Sequence, residues 1–411
     1  MAQTILTDQI ITAEALQIAE NQLVLGRTIN RQYDSSFGVP GGKIGDTLKV
    51  RLPERKLVVN GPALKVQSTN QQYVSLTVQY QQHIDLSFTS TDLTLKLDYF
   101  SDLFLKPNVS QLASTVDYTV ASDTYKYIYN SVGSPGTTPS TSQVILDAKT
   151  KLDNSATPPT NRYVMYNPLA SNNTIEGLKG LYNPQDSISK QFKQGFIGSI
   201  PTLGFEEINM SQSVPAHTTG SRTSSSNTLS LSASVTTEGT STLAITGDSG
   251  TKTIKQGDVF TIAGVYSVNP QTRVSTGVLQ QFVATADATS SGGTWSSVSV
   301  SPALYSSSEA LATVNALPSS GAYVNFLGSA STSYAQNLVY HRDAIILATC
   351  DLVLPRNLEM ASRQSHNGIS MRLAQQYDIW NDQQPVRLDV LYGSVVARPE
   401  FACRVWGEAV G

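Results

Sequence analysis

The sequence predicts an α+β protein in which a mixed body of helices and strands is interrupted by an inserted antiparallel β-barrel. Three observations lead there. Helical periodicity is confined to a few segments, the longest at residues 105–132. Short runs that alternate apolar and polar residues fill much of the rest. In residues 221–330 only nine side chains are charged, and Gly, Asn-Pro or Ser-Gly-Gly turns separate one alternating run from the next. At 411 residues the chain has length for two or three domains. Charged residues make up 14%, against about 25% in an ordinary soluble domain, which suits a surface packed against other protein. The formal net charge of −3 gives no overall footprint for binding nucleic acid.

From the N-terminus, TAEALQIAENQLVLGRTI (12–29) places Leu16, Ala19 and Leu23 on one helical face, with Thr12 as cap and Gly26 as stop. This is a helical N-terminal arm. Next, Leu48, Val50 and Leu52 alternate with Lys49 and Arg51, and Val74, Leu76, Val78 and Tyr80 alternate with Ser75, Thr77 and Gln79. Both runs read as strands with one covered face. Between them Pro53, Asn60-Gly61-Pro62 and the charges of Arg51, Glu54, Arg55 and Lys56 resist packing into a core. The pair therefore forms an extended β loop with a polar, turn-rich tip. An isolated hairpin is marginal in water, so this one needs a partner surface.

In residues 105–132, Val109, Leu112, Val116, Val120 and Tyr127 recur at three- or four-residue steps with one gap, Pro107 suits a first turn and Gly133 is the stop. QVILDAKTKLDN reads as a second helix, RYVMYNP as a short buried strand, IEGLKGLYN as a small helix or turn, and LGFEEINMSQSVP as a strand.

The tract SRTSSSNTLSLSASVTTEGTSTLAITGDSG (221–250) holds sixteen Ser or Thr and no Pro, which sets aside a proline-rich stalk. Leu229, Leu231, Ala233 and Val235 alternate, so the tract opens a β domain and only SRTSSSN is left as a tether. KQGDVFTIAGVYSV, VLQQFVATADA and GGTWSSVSVSPAL continue at the spacing of a small antiparallel barrel. In the tail, SYAQNLVYHRDAIILATCDLVLP runs from a small helix into a buried strand, and PVRLDVLYGSVVARPEFACRVWG is strand, turn, strand.

Chemical constellations are weak throughout. Gly247-Asp248-Ser249-Gly250 has the look of a protease nucleophile turn, yet His217 lies only 32 residues before Ser249 and Asp-Ser-Gly is a common hairpin turn. GVPGGKIG lacks phosphate-loop spacing and leads into a strand, so Lys43 does not mark a nucleotide site. His83, His217, His341 and His366 are scattered, and Cys350 and Cys403 read as buried free thiols, so no metal and no cofactor is expected. His341-Arg342-Asp343 reads as a salt-bridged lead into a strand or a subunit contact; Glu206 and Glu207 are neighbours on a strand and face opposite ways. No run reaches the ~18 apolar residues of a membrane span, and the first residues lack the pattern of a secretion signal, so folding in a reducing cytoplasm is expected.

The order of these segments resembles the major capsid (coat) proteins of tailed bacteriophages, most closely the podovirus coat proteins of the Salmonella phage type. The resemblance runs from the N-terminal arm through the extended loop, the long helix, RYVMYNP, LGFEEINMSQSVP, KQGDVFTIAGV and DAIILA to LYGSVVARPE. It implies the tailed-phage and herpesvirus capsid fold: an N-terminal arm at 1–35, an extended β loop at 36–85, and a peripheral domain with a spine helix plus the first part of an axial domain at 86–220. An inserted β-barrel at 221–330 and the remainder of the axial and peripheral domains at 331–411 complete it. It also implies a non-enzymatic subunit that self-assembles into hexamers and pentamers of an icosahedral shell around double-stranded DNA. Scaffolding protein and portal are the implied partners, with assembly in the bacterial cytoplasm, expansion on maturation and a final place in the virion. The loop residues Arg51, Glu54, Arg55, Lys56 and Lys65 are the candidate intersubunit contacts. Some relatives crosslink through a loop lysine, but no motif here matches the partners that Lys65 would need. The alternative reading is a β-rich surface-binding protein, an adhesin or a capsid decoration protein.

Overall fold

The computed structural model describes residues 8–31, 47–67, 71–89, 105–178, 205–210, 215–223, 225–355, 358 and 360–407. GVPGGKIG, the first part of the extended loop and the end of IEGLKGLYN lie outside these residues. The chain divides into two compact units, Met1–Val50 with Tyr73–Ala121 and Ile345–Val395, and Arg51–Gln72 with Ser122–Ala344 and Val396–Gly411.

The first unit is built on the long strand Gln383–Val396, which pairs with Ile345–Thr349, Ile369–Gln375 and Tyr80–Thr89; Met360–His366 adds to the outer side of Ile369–Gln375. The second run of the extended loop thus does two jobs. Tyr73–Thr77 pairs with Thr47–Arg51 at the loop's base, and Tyr80–Thr89 crosses into the large sheet, matched from Tyr80 opposite Tyr392 to Thr89 opposite Gln383. The break between them lies where the backbone presses on the central strand. A Cβ at Gly393 would collide with the Thr77 carbonyl oxygen, so only glycine fits there. Asp389, on the central strand and fully buried, accepts hydrogen bonds from Arg372 Nε and Nη2 (3.2 and 2.6 Å), Arg387 Nε (2.7 Å) and Gln81 Nε2 (3.2 Å). Burial alone would raise its carboxyl; the two guanidinium bonds overcome that and hold it below the usual range.

Two helices cover this sheet. Asp8–Gln22 buries Ala15, Leu16 and Ala19, and Lys106–Thr124 buries Val109, Leu112, Ala113, Val116 and Val120. Together with Leu347, Met371 and Val390 they close to a residual void of about 20 Å³, native-like packing. The arm departs from expectation at both ends. Thr12 is buried inside the helix rather than capping it, and the helix stops at Gln22, before Gly26. Gly26 instead sits in a separate turn, Leu25–Thr28, whose free N–H groups are taken by a side chain from the other helix. Asp117 accepts from Val24 (2.6 Å), Leu25 (3.2 Å) and Gly26 (2.9 Å), an N-cap supplied across the fold. Burial pushes the Asp117 carboxyl up to about 6, while the three N–H bonds pull it down.

The spine helix is shorter than its sequence pattern. It ends at Thr124, a single 3₁₀ turn covers Tyr125–Tyr127, Tyr127 is exposed, and Ser131–Val132 is a strand. Tyr-Lys-Tyr-Ile-Tyr is rich in aromatic and β-branched residues, which lose rotamer freedom in a helix. The backbone beyond finds a better use, since Asn130 O and Val132 O accept from Arg404 and Trp406 N–H, both at 2.9 Å.

The second unit holds a five-stranded sheet in the order Ser131–Val132, Ala402–Val405, Leu338–His341, Arg162–Tyr166, Glu207–Met210. Helix Ser142–Asn154 lays Val144, Ile145, Ala148 and Leu152 over it, against Val164, Tyr166, Val339, Cys403 and Val405. SYAQNLVYH contains no helix: Ser333–Ala335 and Leu338–His341 are both strands, the first pairs with Ala216–Thr218 as a two-stranded ribbon, and only a single 3₁₀ turn, Arg342–Ala344, follows. Through that ribbon the chain passes into and out of a closed antiparallel barrel.

The barrel strands are β1 Leu229–Leu231, β2 Thr240–Thr246, β3 Val259–Val268, β4 Ser275–Ala284, β5 Thr294–Leu304 and β6 Tyr323–Phe326, in the order β3-β4-β5-β2-β1-β6 with β6 closing on β3. Period-two alternation supplies its interior: Leu229 and Leu231, Leu243 and Ile245, Phe260 and Ile262, with Phe282, Trp295 and Val298. The first strand stops at Leu231 and Ala233 is exposed: Ser232 N–H still donates to Ala244 O on β2 at 3.0 Å, but Leu231 O accepts from Gly321 N–H at 2.8 Å and Val235 N–H turns to Pro318 O at 3.0 Å. The hairpin Met360–His366 with Ile369–Gln375 was not foreseen, since its polar and apolar residues follow no clean period.

Substituting Asp117 by Ala leaves three buried or part-buried N–H groups without their acceptor. Urea unfolding is expected to show a loss of about 3 kcal/mol, with the slope of the transition unchanged. A loss below about 0.5 kcal/mol would mean that the turn is capped by water instead.

Candidate subunit-contact surface

The extended loop continues its ladder for one rung past the base, Leu52 N–H to Gln72 O at 2.9 Å, and Pro53 then ends it by removing a donor. Further out the two arms are joined at Gln67, whose backbone carbonyl also accepts from Lys56 Nζ at 3.5 Å. The Gln67 amide accepts from Leu57 N–H (2.8 Å) and donates to Leu57 O (2.6 Å), imitating a pair of strand hydrogen bonds. Gly61, at φ 111°, makes the turn of Asn60-Gly61-Pro62 in a conformation other residues resist.

Of the predicted contact residues, Arg51, Glu54, Lys56 and Lys65 are exposed and Arg55 is half-buried. Three of the five are held in ion pairs within the subunit. Arg55 Nη2 reaches Glu400 Oε1 at 3.1 Å, and Lys56 Nζ reaches Glu54 Oε1 at 2.7 Å. Exposed pairs of this kind contribute about 0–1 kcal/mol, so they steer the loop's base more than they stabilise it. The polar tip expected from sequence is also corrected. Val58 (82% exposed), Leu64 (91%) and Val66 (83%) stand in solvent, flanking Lys65, and Val59 is exposed as well. Large apolar side chains so displayed, close together on one loop, are unusual for a free subunit's surface.

A second cluster of buried polar side chains was missed in the sequence. Where the ribbon meets the barrel, the buried Asp258 carboxylate accepts from His217 Nε2 (3.0 Å), Gly220 N–H (3.1 Å) and Lys255 N–H (3.0 Å), with Arg222 Nε at 3.5 Å. Tyr125 Oη lies 3.4 Å from His217 Nδ1. Arg404, on the closing strand of the sheet, donates to Gly257 O at 2.8 Å and lays its guanidinium over the Tyr125 ring, while Arg222 lies over Phe326. Arg222 belongs to the segment read as a tether, and that reading is wrong: its side chain is wholly buried. Burial would raise the Asp258 carboxyl, but the His217 bond and the Arg222 charge hold it below the usual range. Burial brings Arg404 down to about 10, still charged at neutral pH.

The remaining candidates find structural roles. Asp248 accepts from Thr223 and Ser249 N–H, and His217 is engaged with Asp258, so the protease-like residues do not come together. Glu206 accepts from Asn161 N–H and Tyr163 Oη, while Glu207 accepts from Asn209. His341 Nδ1 receives Asp343 N–H at 3.1 Å in the tight turn leading to Ile345–Thr349. Cys350 and Cys403 are buried free thiols. Among the described residues no three His, Cys, Asp or Glu side chains group as a metal site, and no helix is long and apolar enough to cross a membrane.

An α+β body carrying a closed antiparallel barrel and a loop that offers apolar side chains to solvent defines a structural subunit made to pack against other protein. Residues 1–405 match the model of the P22 coat protein family, gene protein 5, and the chain belongs to that family. It is a phage major capsid protein, a structural component of the virion that assembles from many copies of itself, and the coat-protein reading displaces the surface-binding alternative. Similar solved structures include a chain of Mycobacterium phage Che8 (12% identity, TM-score 0.46, 93% of this chain and 90% of that one). The capsid structure of the cyanophage P-SCSP1u is 10% identical (TM-score 0.39, 90% and 86% covered). The CUS-3 coat protein I-domain is 30% identical over 25% of this chain and 97% of its own length, with a TM-score of 0.20. No curated protein sequence matches.

Burial holds the His217 imidazole below its ordinary 6.5, against the opposing pull of Asp258, so the folded state keeps the ring neutral. As pH falls below about 6.5 protons bind the unfolded chain first, and stability present above that pH is lost as pH drops through the lower folded value. Thermal melts of the wild type are expected to fall over this window, and His217→Gln is expected to flatten that part of the profile. An unchanged profile in the variant would remove His217 from the account.

Proposed function

We propose that this chain is the shell-forming subunit of an icosahedral head that encloses double-stranded DNA, with the extended loop lying on a neighbouring copy. The observation that carries the loop's role is the display of Val58, Leu64 and Val66 to solvent on a tip held open by Gln67 and Gly61. A free subunit gains nothing from that exposure; burying such side chains against a neighbour yields about 1.5–3 kcal/mol each, repeated at every copy. Arg51, Glu54, Arg55, Lys56 and Lys65 surround this patch as its polar rim, setting register more than affinity. Contacts between subunits are noncovalent, and the shell carries no catalytic site.

In the same reading residues 221–330 are an inserted domain, with the ribbon of Ala216–Thr218 and Ser333–Ala335 as its neck. Scaffolding protein and portal direct assembly in the bacterial cytoplasm, and the first shell expands on maturation. DNA is enclosed without sequence-specific binding, in keeping with the net charge of −3.

Negative-stain electron microscopy of the purified chain, with and without its scaffolding protein, is expected to show closed shells or capsomer rings; monodisperse single subunits in both samples would contradict the proposal. The double variant Leu64→Asp, Val66→Asp is expected to keep the subunit's stability within about 0.5 kcal/mol while abolishing shells. Normal assembly by that variant would remove the loop from the contact.

A further inference from the structure

The turn between strands Ile369–Gln375 and Gln383–Val396 has no evident use within the subunit, yet it is built with care. Of the three tryptophans, Trp295 and Trp406 are buried, whereas Trp380 is 92% exposed, beside Ile379 at 77% and the half-exposed Tyr377. The turn that displays them is stiff. Asp378 N–H donates to Gln383 O at 2.7 Å, and Gln383 N–H returns to Asp378 O at 3.3 Å. The Asp378 carboxylate accepts from Trp380 N–H at 3.0 Å and from Asn381 Nδ2 at 2.7 Å, and Tyr377 Oη donates to Asp382 at 2.9 Å. Asp382 takes φ 50° to close the turn.

We infer that the 377–382 turn is a preformed contact knob whose Trp380 and Ile379 seat on a second copy of this chain in the assembled shell, at a site separate from the extended loop. The inference rests on the coat-protein reading. Tryptophan and tyrosine dominate binding energy at interfaces, and a turn already held by five hydrogen bonds loses little freedom when it docks. Size selects the occupant. Trp380, Ile379 and half of Tyr377 bring roughly 400 Å² to a contact, on the usual areas of such side chains. A stable pair of proteins needs about 800 Å² from each partner. The knob is therefore too small to dimerise free subunits and is suited to a contact that symmetry repeats alongside others.

The protein carries its own probe, because Trp380 is the one exposed indole of the three. Acrylamide quenching of tryptophan fluorescence is measured on the full chain, first as free subunits and then as purified shells. Free subunits are expected to show one readily quenched component with red-shifted emission. In shells that component is expected to be lost, leaving the weak quenching of the two buried indoles and a blue shift. Trp380→Ser is expected to keep the subunit's circular dichroism and melting while lowering shell yield, and Trp380→Phe to restore the yield. Shells in which Trp380 is quenched as in free subunits would overturn the inference and leave the coat reading intact, as would full shell yield from Trp380→Ser. Shielding by anionic lipid vesicles with none in shells would overturn it in favour of a membrane contact. Failure to form shells under any condition would overturn both.

Discussion

Asp258 sits where the chain leaves the ribbon at His217 and turns into the barrel, and its two oxygens gather the imidazole, the amides of Gly220 and Lys255, and the Arg222 guanidinium. Everything beyond depends on that meeting point. A segment of about a hundred residues that starts and ends at one place must hold its two ends together, or it drags on the fold that carries it. The ribbon pairs the two ends, Asp258 fixes the turn between ribbon and barrel, and Arg404 reaches from the last strand of the sheet to the Gly257 carbonyl beside it. A buried carboxylate so fully bonded sets geometry more than it adds stability; removing it would strand Arg222 and His217 in an apolar setting, which is where a cost of about 3–5 kcal/mol arises.

The other unit uses the same device twice. Asp389 binds its own strand and both neighbours on the long sheet, and Asp117 caps the turn that follows the N-terminal helix. In a chain with few charges, buried aspartates hold the joints, while large apolar side chains stand exposed at several places among the described residues. The tip of the extended loop and the turn at Trp380 are two of them. Of the five loop charges expected to face a neighbour, Glu54, Arg55 and Lys56 have ion-pair partners within the subunit.

Sequence patterns revealed the elements whose burial follows a simple period: the N-terminal and spine helices, the strands of the extended loop, and five of the six barrel strands that carry alternating Leu, Ile, Val and Phe. They failed where tertiary bonds override local preference. The spine pattern ran on through Tyr125–Tyr129 because tyrosines keep the period of a helix while the closing strand claims their backbone. Gly26 resembled a stop because nothing local announces a cap supplied from Asp117, ninety residues away. The neck was invisible for the same reason, since His217, Arg222, Asp258 and Arg404 are far apart and each looks like an ordinary polar residue. The loop's charges were found, but its exposed valines and leucine read as strand material, because sequence does not show which face is left without a partner.

If the loop lies on a neighbour as proposed, the subunit folds with apolar side chains in solvent and covers them only on assembly. Hydrogen exchange, compared between free subunits and assembled particles, tests it most directly. Backbone amides of residues 52–67 make few hydrogen bonds in the subunit and are expected to exchange rapidly there and to become strongly protected in the particle. Equal exchange of that segment in both states would contradict the account, because the loop would then have no neighbour.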